Sequence, residues 1–257
     1  MTDSSDNTTV AETDHHSSRH RGAHPEDQRL FAIAQRDVLR AAVADLSLLL
    51  TKGYAPTASL KLVGDHFSLR ERQRLAVARA ACSDQQRAQR QQNRLSLSDL
   101  ANAHVLIDGF NLIVTLEAAL SGGVVFACRD GCWRDLASVH GSYRAVHETE
   151  TAMRLLGETL AAAHTASVTW LLDQPVSNSG RLAQRLREMA TAQRWPWQVE
   201  VVMNPDKVLC ETAGVAVTSD SNILDHCQRW LNLGRLVIER NLPQVWRVDL
   251  SEADPVG

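Results

Sequence analysis

Short apolar runs that end in an aspartate recur in the second half of the chain. Each run is too short for a helix and is apolar on both faces, which is typical of the central strands of a parallel sheet. The runs are 105–107, 168–172 and 214–219, and the aspartates that follow them are Asp108, Asp173 and Asp220. The pattern predicts three buried strands, each carrying a carboxylate at its carboxyl end.

Helical spacing of apolar residues separates these runs. It predicts helices at 112–120, which Asn111 opens, at 149–164 and at 180–194, and further strands at 199–202 and 236–238. Strand and helix therefore alternate over residues 103–248. This alternation favours a single parallel α/β sheet between layers of helices.

The front of the chain has a different pattern. Residues 28–52 are spaced as a helix, a second helix follows from Pro56, and a capping-box pattern at 68–71 starts a third that is expected to continue through 85–94. Residues 1–27 are polar and are expected to be a disordered tail. The predicted organisation is a tail (1–27), a small all-helical domain (28–98) and an α/β domain (99–250).

Charge distinguishes the two domains. The chain has a net charge of −3, but residues 28–98 hold twelve Lys and Arg against five acids. A basic helical domain joined to an acidic one suggests contact with nucleic acid. A solvated, Arg-rich surface on a helical cap is the alternative, and the charges alone do not separate the two.

Cysteine content and hydropathy narrow the class of protein. Five cysteines without a regular framework favour free thiols in a reducing compartment, and we expect a cytoplasmic protein. The sequence contains no apolar run long enough to span a membrane and no secretory signal. Cys128 and Cys132 lack the partners that a tetrahedral zinc site needs.

The strand-end acids predict the chemistry. Parallel strands bring their carboxyl ends to one edge, so Asp108, Asp173 and Asp220 should converge, with Asp225 about one helical turn beyond Asp220. Clustered carboxylates repel one another and require a counter-charge, for which Mg²⁺ or Mn²⁺ is the usual choice. Such an ion suits metal-assisted hydrolysis of a phosphodiester. The side chains expected to contact substrate phosphate are Asn111, Ser177, Asn178, Ser179 and Arg181.

These residues resemble a known group. The segments 107–111, 172–173 and 218–220 look like the acidic strand ends of the PIN-like nuclease superfamily, especially its NYN branch. Residues 39–79 are similar to the domain of unknown function 434, which precedes a PIN-like part in an uncharacterised prokaryotic family. The resemblance implies a Mg²⁺- or Mn²⁺-dependent ribonuclease acting on RNA, with Asp108, Asp173 and Asp220 as catalytic acids and Asp225 as a further metal ligand.

One further acid of the PIN-like pattern is left open, together with the activity itself. The candidates for that acid are Glu117, Asp130, Asp135, Glu148 and Glu150, with Glu117 more simply explained as a surface residue. The alternative function is a non-catalytic module that binds RNA or a ribonucleoprotein. A phosphohydrolase with Asp108 as nucleophile is disfavoured, because aspartyl-phosphate enzymes commonly carry a second acid two residues further on.

Overall fold

The structure is a computed structural model that describes residues 20–137 and 141–251. Residues 1–19 of the predicted tail lie outside the described residues. The helices are α1 Asp27–Leu30, α2 Arg36–Thr51, α3 Pro56–His66, α4 Glu71–Ala80, α5 Asp84–Asn93, α6 Gly109–Leu120, α7 Thr149–Ala162, α8 Ser179–Gln193, α9 Pro205–Glu211, α10 Ser221–Leu224 and α11 Leu233–Asn241. The strands are β1 Arg94–Leu95, β2 His104–Asp108, β3 Val125–Ala127, β4 Trp133–Arg134, β5 Ser167–Asp173, β6 Trp197–Val202, β7 Val215–Val217, β8 Trp230–Leu231 and β9 Arg247–Asp249.

Six strands form one parallel sheet in the order β1-β8-β7-β2-β5-β6. This confirms the predicted parallel α/β sheet flanked by helices, preceded by a helical region. From β2, the next strand of this sheet along the chain is β5, which lies towards one edge of the sheet. From β7, the next strand is β8, which lies towards the opposite edge. Neighbouring strands whose connections diverge in this way leave a crevice at their carboxyl ends, and ligands of open α/β sheets bind there.

Burial explains why β2 is central. Val105 and Ile107 are completely buried, as an apolar strand covered by helices on both faces should be. Helix α6 follows β2 without a loop and packs against α7, α11 and β5. Ten of its twelve residues are buried, so the first helix after the central strand is itself part of the core.

A second, three-stranded sheet joins the helical region to the rest of the chain. Its order is β4-β3-β9, and it shares a hydrophobic core with the N-terminal helices. Phe31 meets Phe126 of β3 edge to face, with ring centroids 4.8 Å apart. The residues predicted as a separate helical domain also supply β1 to the large sheet, so the two parts are packed and hydrogen-bonded together.

A buried arginine ties α5 to the sheet edge. The Arg90 side chain is 2% exposed and lies 2.6 Å from Asp130 and 2.7 Å from Asp225. Its backbone oxygen accepts a hydrogen bond of 2.7 Å from the Trp230 indole. A charge buried in this way is tolerated only because both acids neutralise it.

Several predicted elements differ from the structure. The predicted strand at 236–238 is wrong, because these residues belong to α11, where Leu233, Val237 and Ile238 are buried at helical spacing. Helix α4 begins at Glu71 rather than at a Ser68 cap, since Ser68 has a left-handed backbone (φ +51°) and an N-cap is typically extended.

The long helices predicted near the N-terminus are interrupted. The pattern over 28–52 contains α1, a 3₁₀ turn at Ile33–Gln35 and then α2. The third predicted helix stops at Ala80, and Ser83 starts α5 by accepting a hydrogen bond of 3.1 Å from the Gln86 backbone. In the part of the chain that the structure describes, no helix combines the length and the apolarity needed to cross a membrane.

Arg90→Ala should destabilise the fold by about 3 to 5 kcal/mol, because it leaves Asp130 and Asp225 without their shared counter-charge. Equilibrium urea unfolding measures the change. The matched control is Arg154→Ala, which removes a surface arginine paired with Glu158 and should change stability by less than about 0.5 kcal/mol. Equal effects of the two substitutions would contradict a structural role for the buried pairs.

Candidate functional site

Asp108 ends the central strand and also caps the helix that follows. Its Oδ1 accepts a hydrogen bond of 3.3 Å from the Asn111 backbone, and its Oδ2 accepts one of 2.8 Å from the Thr218 hydroxyl. Burial raises the pKa of Asp108 to about 7 against these two hydrogen bonds, and the negative charges of Asp220 and Asp206 add to the rise. Asp108 is therefore a carboxyl that holds its proton up to about neutral pH in the protein alone.

Asn111 lies in the first turn of α6 and not at its cap. Its Oδ1 accepts hydrogen bonds of 2.9 Å from both the backbone and the hydroxyl of Ser219. These bonds tie the start of α6 to the loop after β7. The side-chain oxygen of Asn111 is thus occupied within the protein, while the residue still borders the cavity described below.

Asp220 follows β7 and caps α10. Its Oδ1 accepts hydrogen bonds from the backbone of Asn222 (2.8 Å) and of Ile223 (3.3 Å). The loop that carries Asp220 is fixed by buried Arg134, which donates a hydrogen bond of 2.7 Å to the Ser219 carbonyl. Asp220 therefore lies in the loop after β7, the strand that pairs with β2, and its negative charge acts on Asp108.

Asp173 and Asp206 complete the acidic edge. Asp173 ends β5, and Asp206 lies in the first turn of α9, directly after β6. Burial raises the pKa of both, and a neighbouring negative charge raises each further: that of Asp206 acts on Asp173, and that of Asp220 acts on Asp206. The charges of Asp206 and Asp220 thus act on acids that follow neighbouring strands of the sheet.

We call Asp108, Asp173, Asp206 and Asp220 the carboxylate group. Electrostatic effects link the three predicted acids Asp108, Asp173 and Asp220 and add Asp206, which is not among the predicted site residues. The signal for Asp206 was its position just after the strand predicted at 199–202. Within residues 20–137 and 141–251, no Lys, Arg or His forms an ion pair with any member of the group.

The structure does not bring Asp225 to the carboxylate group. Asp225 caps the carboxyl end of the short helix α10 and faces α5. It accepts hydrogen bonds from Arg90 (2.7 Å) and from the Gln86 amide (2.6 Å). These two hydrogen bonds occupy the Asp225 carboxylate. Asp225 therefore lies on a different side of α10 from Asp220, although only about one helical turn separates the two residues.

The candidates for a further acid occupy other places. Asp130 is buried between Arg134 and Arg90; burial favours its neutral form, but the two guanidinium groups outweigh this and lower its pKa. Glu117 is buried, not on the surface, and accepts hydrogen bonds from Tyr143 (2.5 Å), Thr149 and Arg21. The remaining candidates are Glu148, which lies 2.6 Å from His20, Glu150, which is exposed, and Asp135, which is buried.

The loop after Asp173 is ordered by its own side chains. The Ser179 hydroxyl donates to the carbonyls of Asp173 and of Val176 (2.5 Å). The Asn178 amide donates 2.8 Å to the Tyr143 carbonyl, and Asn178 adopts a left-handed backbone (φ +71°) that asparagine tolerates well. Ser177 pairs with residues 141–143 through its backbone, and Arg181 is exposed in the first turn of α8.

A cavity of about 370 Å³ opens beside the carboxylate group. It lies between α4, α6 and β4, and its wall includes Asp220, Asn111, Phe110 and Arg79. Asp135 lies in the same wall; burial raises its pKa, and it accepts a hydrogen bond of 2.6 Å from the Thr115 hydroxyl. The helical region therefore contributes part of the wall of this cavity.

The donor chemistry can be compared with the expected metal. Four carboxylates without cationic partners are hard oxygen ligands of the type that Mg²⁺ and Mn²⁺ prefer. Among the described residues, no three His, Cys, Asp or Glu side chains are placed to hold one ion. By residue type the carboxylate group fits a divalent cation, although its described side chains as placed do not form a complete site for one.

Residues 97–236 match the family model described as Domain of unknown function (DUF5616). The chain belongs to this family. Residues 38–93 match the model described as Protein of unknown function (DUF434), which confirms the predicted similarity of the front part. Neither description names a PIN-like protein.

One relative of the DUF5616 protein is an uncharacterized protein of Methanocaldococcus jannaschii. The two sequences are 32% identical over 186 residues, which cover 72% of this chain and 88% of that protein. No solved structure matches the chain. All four members of the carboxylate group lie in the DUF5616 segment, whereas the DUF434 segment holds α3, α4, α5 and most of α2.

The raised pKa of Asp108 has a consequence for stability. Between about pH 4 and pH 7 the folded protein keeps a proton that the unfolded chain has lost, so this group lowers stability as pH rises through that range. Asp108→Asn cannot titrate but can still accept from Thr218. From pH 5 to pH 8, the parent should lose about 2 kcal/mol more stability than Asp108→Asn, measured by urea unfolding without divalent ions. Parallel pH profiles of the two proteins would contradict the burial of an ionisable Asp108.

Proposed function

We propose that this DUF5616 protein is a Mg²⁺- or Mn²⁺-dependent phosphodiesterase that hydrolyses RNA. The observation that carries the proposal is the carboxylate group at the switch point of a parallel sheet. The charge of Asp206 raises the pKa values of Asp108 and Asp173, that of Asp220 raises the pKa values of Asp108 and Asp206, and the group has no cationic partner among the described residues. A divalent cation would relieve this repulsion, and such sites commonly serve phosphoryl chemistry.

Each residue of the site has a role in this proposal. Asp108, Asp173, Asp206 and Asp220 would hold the ion, which when bound polarises a phosphate and lowers the pKa of a water molecule. Thr218 and the Asn111 backbone hold the Asp108 carboxylate in place through two hydrogen bonds. The bond from Arg134 to the Ser219 carbonyl holds the loop of Asp220.

Nucleic acid is the proposed substrate for two reasons. The helical region is rich in arginine, and Arg79 of this region borders the cavity beside the carboxylate group. Arginine is suited to phosphate because its planar guanidinium donates two parallel hydrogen bonds. The resemblance of segments 107–111, 172–173 and 218–220 to PIN-like nucleases favours RNA among nucleic acids.

A non-catalytic RNA-binding module is the second candidate, and one observation favours it. Asp108 and Asp220 both serve as helix N-caps, with their carboxylates accepting backbone hydrogen bonds. Capping alone is a sufficient structural reason for an aspartate at these positions. RNA binding that is unaffected by EDTA, without cleavage, would favour this module over the enzyme.

Cleavage of single-stranded RNA in Mn²⁺ tests the enzyme directly. Asp108→Asn and Asp206→Asn should each lower the rate at least about 100-fold, because each removes a carboxylate from the ion's surroundings. Glu150→Gln is the matched control: it neutralises an exposed acid outside the group and should stay within about twofold of the parent. Cleavage retained in both aspartate variants, or absent from the parent, would reject the proposal.

Ion binding can also be measured without activity. Mn²⁺ in the millimolar range should raise the melting temperature more at pH 8 than at pH 6, because at the lower pH a proton competes for Asp108. The shift should be largely lost in Asp206→Asn and kept in Glu150→Gln. Equal shifts at both pH values in all three proteins would place the bound ion elsewhere.

A further inference from the structure

A second cavity, of about 220 Å³, is lined by three arginines. Arg144, Arg181 and Arg185 border it, together with Tyr143, Asn178 and Leu182. No acid lies in its described wall, and none of the three guanidinium groups has an ion-pair or hydrogen-bond partner among the described residues.

Unpaired arginines in one cavity contrast with arginines elsewhere on the surface. Arg154 and Arg235, for example, each lie 2.8 Å from a glutamate one helical turn away. Three guanidinium groups of like charge around one small space repel one another. An anion in the cavity would relieve this repulsion.

Hydrogen bonds hold the two segments of this cavity together. Ser177 donates from its backbone to the Gly141 carbonyl (2.9 Å), and the Tyr143 backbone donates to the Ser177 carbonyl (3.1 Å). The Asn178 amide adds its bond of 2.8 Å to the Tyr143 carbonyl. The backbone segment that carries Arg144 is thus fixed against the start of α8.

The cavity adjoins the loop that leads away from the carboxylate group. Asp173 ends β5, and the Ser179 hydroxyl donates back to the Asp173 carbonyl at the start of α8. Arg181 and Arg185 lie in the first two turns of that helix. The loop 174–178 therefore joins Asp173 of the carboxylate group to the helix that carries two of the three arginines.

We propose that this cavity binds the terminal phosphate monoester of a nucleic-acid strand. A terminal phosphate carries a charge of about −1.5 to −2 at pH 7 and three acceptor oxygens, whereas an internal phosphodiester carries one charge. Three arginines match the terminal group better. That the ligand is a nucleic-acid strand rests on the proposed function, whereas binding of a phosphate group rests on the cavity alone.

Binding without cleavage tests the proposal on the full chain. In EDTA, the affinity for single-stranded RNA of one sequence is measured by fluorescence anisotropy with a 5′-phosphate, with a 3′-phosphate and with hydroxyl groups at both ends. One phosphorylated form should bind the parent at least tenfold more tightly than the hydroxyl form. This preference should fall below twofold in Arg181→Gln/Arg185→Gln and persist in the control Arg240→Gln, which removes an exposed arginine on α11.

Inorganic phosphate gives a second readout that needs no RNA. Calorimetric titration should detect phosphate binding by the parent and by Arg240→Gln, and none by the double variant. Phosphate binding without any RNA binding would keep the cavity and reject the nucleic-acid function. Equal affinity of the parent for all three RNAs, equal weakening of all three in the double variant, or phosphate binding that survives the double substitution would each overturn the proposal.

Discussion

Electrostatic repulsion at the carboxyl edge of the parallel sheet is the constraint on which the site depends. Parallel strands have all their carboxyl ends on one side, so an acid that follows each strand is brought near the others whatever its distance in sequence. Burial of Asp108 adds a separate cost to a negative charge at this position, because desolvation penalises the charged form. A fold that keeps such a group retains an unfavourable arrangement that a cation would relieve.

Other buried acids of the same chain are neutralised by arginines. Asp130 and Asp225 are neutralised by Arg90, and Asp130 also by Arg134. Arg134 in turn holds the Ser219 carbonyl, which precedes Asp220. A paired, structural set of charges therefore positions an unpaired set. This contrast is the physical reason to propose a functional role for the carboxylate group and a structural role for the paired acids.

The two family segments form one packed structure. The N-terminal helices bury their apolar faces against the three-stranded sheet, and Arg90 of α5 reaches the acids beside the main sheet. Arg79 of α4 then borders the cavity next to Asp220. The helical DUF434 part consequently contributes to the shape of a crevice whose acids all come from the DUF5616 part.

The sequence by itself determined the parallel α/β class and three of the four acids at the sheet edge. Both follow from local patterns: apolar runs of strand length, each ended by an aspartate, with helical spacing between them. Local patterns misassigned 236–238, because a three-residue apolar run is compatible with a strand or with one face of a helix. Tertiary structure alone decided which acids meet. The structure adds Asp206 to the group and excludes Asp225, because the role of a carboxylate depends on whether an arginine from a distant segment contacts it. Arg90 and Asp225 are 135 positions apart in the sequence, so no local pattern predicts their contact.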